Sequence, residues 1–446
     1  MNKKITTMNC INKTITFIFL ISFSIGFAQE KLTKEQAIDL ALKNNYGIII
    51  AKNNVKIAKN NATVFNSGYL PKVVANAGAN YSKNDSETTF KDGSNTSING
   101  DESNSYNASI GFNYTLFDGL GRAYNYKKLK ETYNLSELEA QTIIESSLVQ
   151  VFAVYFEVAR LTQDTKNIFE SLTISKQRLE RANYGFDYGQ NTKLQLLNAE
   201  VDVNNDSIKY INIQNQLSNS KRDLNLLLGR DITRKFEVDT DVSFTLNFNL
   251  ENTITASKKH NIEIKKATKS LEINNFDIKI NKANLFPNLS LSSSYGWNKL
   301  ENGATSFFRT QTSNGLNAGI SLNWNLFDGG TTKTRIQNAK INADNLQVQK
   351  ELISNEVERN IINTFEIYTN SLFILTSEEK NVETNKRNFS RTEEQFKLGQ
   401  ITSIEFRQAQ VNLLNAQSNL NQAKYTAKNT ELKLLQLTGD LLNTKF

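Results

Sequence analysis

The chain has 446 residues, 39% hydrophobic and 22% charged. That suits one large domain or two ordinary ones and excludes both a disordered tail and a polytopic helical membrane protein. The net charge of +7 comes from 52 Lys and Arg against 45 Asp and Glu, without a basic block, so no nucleic-acid partner is expected. A single histidine, His260, and a single cysteine, Cys10, leave little material for zinc sites or His- and Cys-based nucleophilic catalysis. No catalytic residue, cofactor or metal site is therefore expected. The acid pairs Glu356/Glu358 and Glu393/Glu394 read as solvated helix faces.

Lys3, Lys4 and Lys13 precede an apolar run from Ile15 to Ala28, which is too short for a membrane span of about 20 residues. Gly26-Phe27-Ala28 offers the small residues of a cleavage site, so residues 1–28 read as a signal peptide and Cys10 leaves with it.

The remainder reads as a tandem duplication. Asn113-Tyr-Thr-Leu-Phe-Asp-Gly119 matches Asn323-Trp-Asn-Leu-Phe-Asp-Gly329, a shift of 210 residues. The Gly189-Gln190 and Gly399-Gln400 turns keep that shift, as do Gly229 and Gly439. The two prolines, Pro71 and Pro287, correspond at a shift of 216. The expected organisation is a first repeat over 29–230, a connector over 231–251 with strand-like Phe244, Leu246 and Phe248, and a second repeat over 252–446.

Each repeat predicts helix, strand, loop, strand, very long helix, turn, helix. The opening helix starts near Thr33, with Thr33 and Gln36 in capping-box spacing, and runs toward Gly68 with a break at Asn44-Asn45. Its counterpart covers roughly 252–284. Proline-free stretches with apolar seams follow Gly119 and Gly329: Leu148, Val151, Tyr155 and Val158 in one, Ile336, Ala339, Ala343, Leu346, Phe365, Tyr368, Leu372 and Leu375 in the other. Asp118 and Asp328 stand where N-caps belong. Each long helix turns at Gly189 or Gly399 and returns to Gly229 or Gly439, placed to end a helix.

Four stretches alternate with period two. Val73, Ala75, Ala77, Ala79 and Tyr81 share a face in the first, and Tyr106, Ala108, Ile110, Phe112, Tyr114 and Leu116 in the second. Leu289, Leu291, Tyr295 and Trp297 do so in the third, and Leu316, Ala318, Ile320, Leu322, Trp324 and Leu326 in the fourth. The opposite faces are almost wholly Asn, Ser, Gly and Thr. At about 10–12 residues each, such strands cross a bilayer when tilted. A soluble half-buried sheet alternates too, but its wet face normally carries Lys and Glu. Loops over 83–105 and 299–315 would join the strands. Four strands expose unpaired backbone at their edges, which lipid does not tolerate, so closure needs further copies.

In this order and duplication the motifs resemble the TolC-like outer membrane efflux proteins. The resemblance rests on Leu32-Thr-Lys-Glu-Gln-Ala37 with Leu40-Ala-Leu-Lys-Asn-Asn45, Leu70-Pro71, Phe286-Pro287, Leu326-Phe-Asp-Gly-Gly330, and Phe396-Lys-Leu-Gly-Gln-Ile401 through Ala409-Gln410. It implies an α+β membrane protein: a long α-helical coiled-coil barrel in the periplasm joined to a transmembrane β-barrel, completed by a homotrimer in outer membrane lipid. Junctions would lie at Pro71, Asp118, Gly119, Pro287, Asp328 and Gly329. The turns Tyr188, Gly189, Gln190, Asn191, Thr192 and Leu398, Gly399, Gln400, Ile401, Thr402 would meet a periplasmic adaptor serving an inner-membrane transporter. Glu405 and Gln408 would line the entrance constriction. Gln195 and Gln408 stand where some members carry further acids, and Ile401 where some carry a latching Arg, so a closed tip is expected to rest on polar and apolar contacts. The implied function is a passive exit duct. A type I protein secretion component of the same build and, from another class, a periplasmic coiled-coil adaptor or structural protein remain open on sequence.

Overall fold

The structure, a computed structural model, describes residues 30–244, 248–303 and 306–443. The expected signal peptide over 1–28 and Leu246 lie outside the described residues. The chain divides into two compact units. One comprises 1–49, 143–255 and 360–446, the other 50–142 and 256–359. Each unit draws on both halves of the sequence.

The first unit opens with β1 (Glu30–Leu32), paired in parallel with β4 (Phe236–Val238). This corrects the expectation of a strand around Phe244 and Phe248. The connector's strand is Phe236-Glu237-Val238, whose outer two residues are buried. α1 (Lys34–Asn44) begins with a full capping box: Gln36 N donates to Thr33 Oγ1 at 3.3 Å and Thr33 N to Gln36 Oε1 at 3.0 Å. It stops at Asn45, whose Oδ1 accepts from Ile48 N at 3.2 Å and so caps α2 (Tyr46–Asn61), while its Nδ2 reaches Leu227 O at 2.8 Å.

The dominant elements are α3 (Gly121–Asp187) and α7 (Thr331–Lys397), each 67 residues, with return helices α4 (Lys193–Leu227) and α8 (Ser403–Thr438) of 35 and 36. At 1.5 Å per residue each long helix extends about 100 Å. An 18-residue stretch of α3 is apolar enough to cross a membrane, but 44% of it is buried in protein. Its seam residues Leu148, Val151, Phe152, Tyr155 and Phe156 form the core with Ala37, Ala41, Leu224, Tyr425 and Leu432. Tyr155 Oη donates to Leu32 O and accepts from Asp239 N, both at 2.9 Å, tying β1 and the connector to α3.

The second unit carries the sheet β2 (Lys72–Thr89), β3 (Asn95–Phe117), β5 (Asn288–Glu301) and β6 (Thr310–Asn323), antiparallel and in that spatial order. The register aligns the alternation across all four strands. Ala75, Ile110, Tyr295 and Leu316 form one row, and Val73, Phe112, Ser293 and Ala318 the next. On the other face Asn76, Ser109, Gly296 and Gly315 align, as do Gly78, Asn107, Asn298 and Ser313. Leu316 and Ile320 stand 69% and 67% exposed, so among the described residues the apolar face has no partner. From Leu289 to Trp297 that face extends about 27 Å along the strand.

The strands are longer than the alternation suggested. The ladder continues to Thr89 and restarts at Asn95, so most of 83–105 is hairpin rather than loop, and the connection between β5 and β6 narrows to 302–309. Beyond Ser82 both faces of β2 are polar, so the period vanishes although the backbone pairing persists. In contrast β6 ends at Asn323, and Trp324 instead donates through Nε1 to Leu285 O at 3.1 Å.

The counterpart of the opening helix is broken, as α5 (Leu250–His260) and α6 (Ile262–Ala283). Asn261, which corresponds to Asn45 at the same shift as the two prolines, caps α6 by accepting from Glu263 N at 2.9 Å. The caps of the long helices also differ from expectation. Asp118 and Asp328 stand three residues before the first helical residue, with Leu120 and Gly330 at φ 69° and 89° between. Their carboxylates still reach into the first turn, accepting from Arg122 N at 2.9 Å and Thr332 N at 2.8 Å.

Candidate functional site: the helix-turn-helix tips

Both reversals of the first unit are built from one set of local rules. Gly189 and Gly399 have φ of 71° and 74°, a conformation that costs a side-chain-bearing residue about 1–2 kcal/mol. After each turn a threonine caps the return helix. Gln195 N donates to Thr192 Oγ1 at 3.3 Å and Thr192 N to Gln195 Oε1 at 2.8 Å. Glu405 N donates to Thr402 Oγ1 at 3.2 Å and Thr402 N to Glu405 Oε2 at 2.8 Å. Glu405 is thus exposed yet engaged, and the Thr402 backbone and side-chain hydrogen bonds hold its carboxyl below the usual range.

The two turns share a cavity of about 490 Å³ lined by Tyr188, Gln190, Asn191, Gly399, Ile401 and Thr402. Tyr188 of that lining is 80% exposed, and Leu398, which precedes Gly399 in the second turn, is 72% exposed. Ile401 packs against the cluster of Phe389, Phe406 and Ala409. Gln408 lines a neighbouring cavity of about 470 Å³ and donates to Asn412 Oδ1 at 2.8 Å. The junction residues lie in the other unit. Gly119 leaves no room for a Cβ, which would approach Ala283 O to 2.5 Å, whereas Gly329 has open space around it.

Sequence reading missed the charged network just behind the turns. Arg407 of α8 donates to both carboxylate oxygens of Asp206 at 2.7 Å and lies 3.3 Å from Asp202, both on α4. Asp202 also receives Arg178 of α3, and Ser175 donates to Asp206 at 2.7 Å. Gln410 Nε2 donates to Ser171 O at 2.8 Å and Ser171 Oγ at 3.0 Å. Further along the same seam Asn421 donates to the buried Asp164 at 2.7 Å, and Phe156 stacks on Tyr425 at 5.8 Å. Partner numbers on α8 rise as those on α3 fall, so the helices are antiparallel, joined by polar side chains near the turns and apolar ones beyond. The i, i+4 pair Asp202/Asp206 was the available signal, but its partner Arg407 belongs to the other half of the sequence.

Residues 37–230 and 253–440 match the family profile described as "Outer membrane efflux protein". The chain is 21% identical over 382 residues to "Outer membrane protein TolC" of Vibrio cholerae, covering 84% of this chain and 83% of that protein. It is 22% identical over 359 residues to "Probable efflux pump outer membrane protein TtgC" of Pseudomonas putida, covering 75% and 69%. The fold is similar to that of the CmeC outer membrane channel of Campylobacter jejuni, with TM-score 0.76 and 18% identity over 92% of this chain and 86% of that one. By name the second of these is an efflux pump outer membrane protein and the third an outer membrane channel. The chain belongs to the outer membrane efflux protein family and is an outer membrane protein.

Proposed function

We propose that the protein is the exit duct of a tripartite efflux or secretion system: a passive conduit in which three copies share one 12-stranded β-barrel and one helical tunnel. The observation that carries this is the sheet. It has one face of exposed apolar rows, one of small neutral polar rows, and two strands, β2 and β6, each with a single partner among the described residues. In lipid those edges must be paired, and copies of the same sheet supply the pairing. Twelve strands leave a water-filled lumen where eight would be filled by side chains.

A tandem duplication accounts for the twofold recurrence of element order, of 67-residue helices and of capped turns. By this reading the two turns receive the periplasmic adaptor of an inner-membrane transporter, since they are exposed, adjacent and joined by one cavity. Three copies of Glu405 would ring the entrance, with Gln408 a turn further in. The matching family's description and the name of the Pseudomonas putida relative support efflux as the transport carried out.

The test is the mass of the purified mature protein in detergent, with planar-bilayer conductance. A trimer with stable ion-conducting steps supports the duct. A water-soluble, non-conducting monomer contradicts it.

A further inference from the structure

The helical turns next to the sheet carry an excess of unpaired cations whose direction can be read. A cavity of about 670 Å³ at the strand-to-helix junction is lined by Asn288 and Asn323, which belong to the polar face of the sheet. The faces of α3, α6 and α7 that line it are marked by Arg122 and Asn125, by Ile280 and Asn284, and by Arg335. At 100° per residue, Lys127 stands about 160° round α3 from Asn125. Lys282 stands about 160° from Ile280 and Asn284, and Lys333 and Lys340 stand about 160° and 140° from Arg335. All four lysines are exposed, and among the described residues none has an acidic partner. The next acids on those faces lie farther out: Glu131 and Glu272, both held by Lys269, and Asp344.

Along the helices Lys282 and Lys333 lie about 8 Å from Pro287 and Asp328, Lys127 about 14 Å from Asp118, and Lys340 about 18 Å from Asp328. A headgroup layer is about 5–8 Å thick and the Debye length adds about 8 Å. Lys282 and Lys333 therefore lie at the depth of the headgroups, Lys127 within a Debye length of them and Lys340 just beyond it, all on the side of each helix turned away from the polar face, where the apolar face meets lipid.

We propose that Lys127, Lys282, Lys333 and Lys340 form a collar that binds the phosphate headgroups of anionic phospholipid in the periplasmic leaflet, setting the depth of the protein in the membrane. Solvated surface lysines would be interspersed with acids; here each outward face holds cations alone until Glu131, Glu272 and Asp344 are reached. This rests on the sheet spanning the membrane, as proposed above.

The test uses the full mature protein in phosphatidylcholine bilayers with and without phosphatidylglycerol, reading retained lipid by native mass spectrometry and conductance in the same preparations. Wild type is expected to retain phosphatidylglycerol preferentially, less so at high salt. Each of K127Q, K282Q and K333Q should weaken that retention roughly fivefold, and K340Q less, since it lies farthest from the headgroups. The quadruple variant K127Q/K282Q/K333Q/K340Q should lose the preference while still conducting, and the quadruple Lys→Arg variant should keep it. Equal retention of both lipids by a conducting wild type, or an undiminished preference in the Gln variant, overturns the collar and leaves the duct intact. Failure of the wild type to conduct in either membrane overturns the spanning sheet and the collar with it.

Discussion

Arg407 grips Asp206 with two charge-assisted hydrogen bonds of 2.7 Å, joining the return helices of the two halves behind the turns. The Asp206 side chain is 2% exposed and that of Arg407 15%, so the pair is largely withdrawn from solvent. Removing one partner strands a charge. Arg407→Ala is expected to destabilise the protein by about 3 kcal/mol, whereas the apolar pair R407M/D206L should recover much of that loss. Thermal unfolding in detergent measures both, and equal stability of Arg407→Ala and wild type would show that the pair adds nothing.

The same seam holds two buried aspartates that titrate in opposite senses. Burial pushes Asp206 up, but the hydrogen bonds from Arg407 and Ser175 and the Arg407 charge outweigh it and hold the carboxyl below its ordinary value. Its contribution is full above the unfolded pKa of about 3.9 and is lost as pH falls through the folded value. For Asp164 burial prevails over the Asn421 and Arg160 contacts and raises the carboxyl. Its ionised form costs stability above the folded pKa, and that cost fades as pH falls toward about 3.9. Asp206→Asn should therefore flatten the loss of stability below about pH 4, and Asp164→Asn should remove a cost above it. Melting temperatures across the acid range test the two signs.

Glu405 has two separable properties, a cap and a charge. Gln195 performs the same capping in the first turn without charge, so Glu405→Gln should leave the helix start intact. Thr402→Ala, which removes the cap, should cost about 1 kcal/mol and speed amide exchange in the first turn of α8. If the entrance ring is correct, Glu405→Gln alone lowers cation selectivity and block by divalent ions in planar bilayers. Unchanged selectivity would take Glu405 off the lining.

Glycines at positive φ differ in what surrounds them. A Cβ on Gly229 would come within 2.2 Å of Asn44 O, while around Gly189 there is open space. Gly189→Ala should cost only the left-handed backbone strain, about 1–2 kcal/mol. Gly229→Ala should cost more, because the backbone at Asn44 cannot yield as a side chain can. Comparable unfolding midpoints for the two variants would contradict the close approach.

What sequence made legible was whatever repeats over a short span. Period-two alternation predicted the two faces of the sheet, and the pairing register aligns them row by row. Thr33 with Gln36 signalled a capping box that the structure contains. The misses depend on distant partners. Phe236–Val238 is a strand because Glu30–Leu32 lies beside it, and three residues carry no period of their own. The break at Asn261 lacks the Asn doublet that marked Asn45. Arg407 acquires its meaning from α3 and α4, helices of the first half of the chain, which no local pattern around it announces.

Edge-to-edge cross-linking tests the shared barrel most directly. Asn76→Cys in β2 is combined with Ser313→Cys, Asn317→Cys or Ser321→Cys in β6, all on the polar face. Oxidation in membranes should, at one of these registers, link chains covalently into a ladder ending at three, with conductance retained. Monomers alone at every register, from a protein that still reaches the membrane, would contradict a barrel built from copies of this sheet.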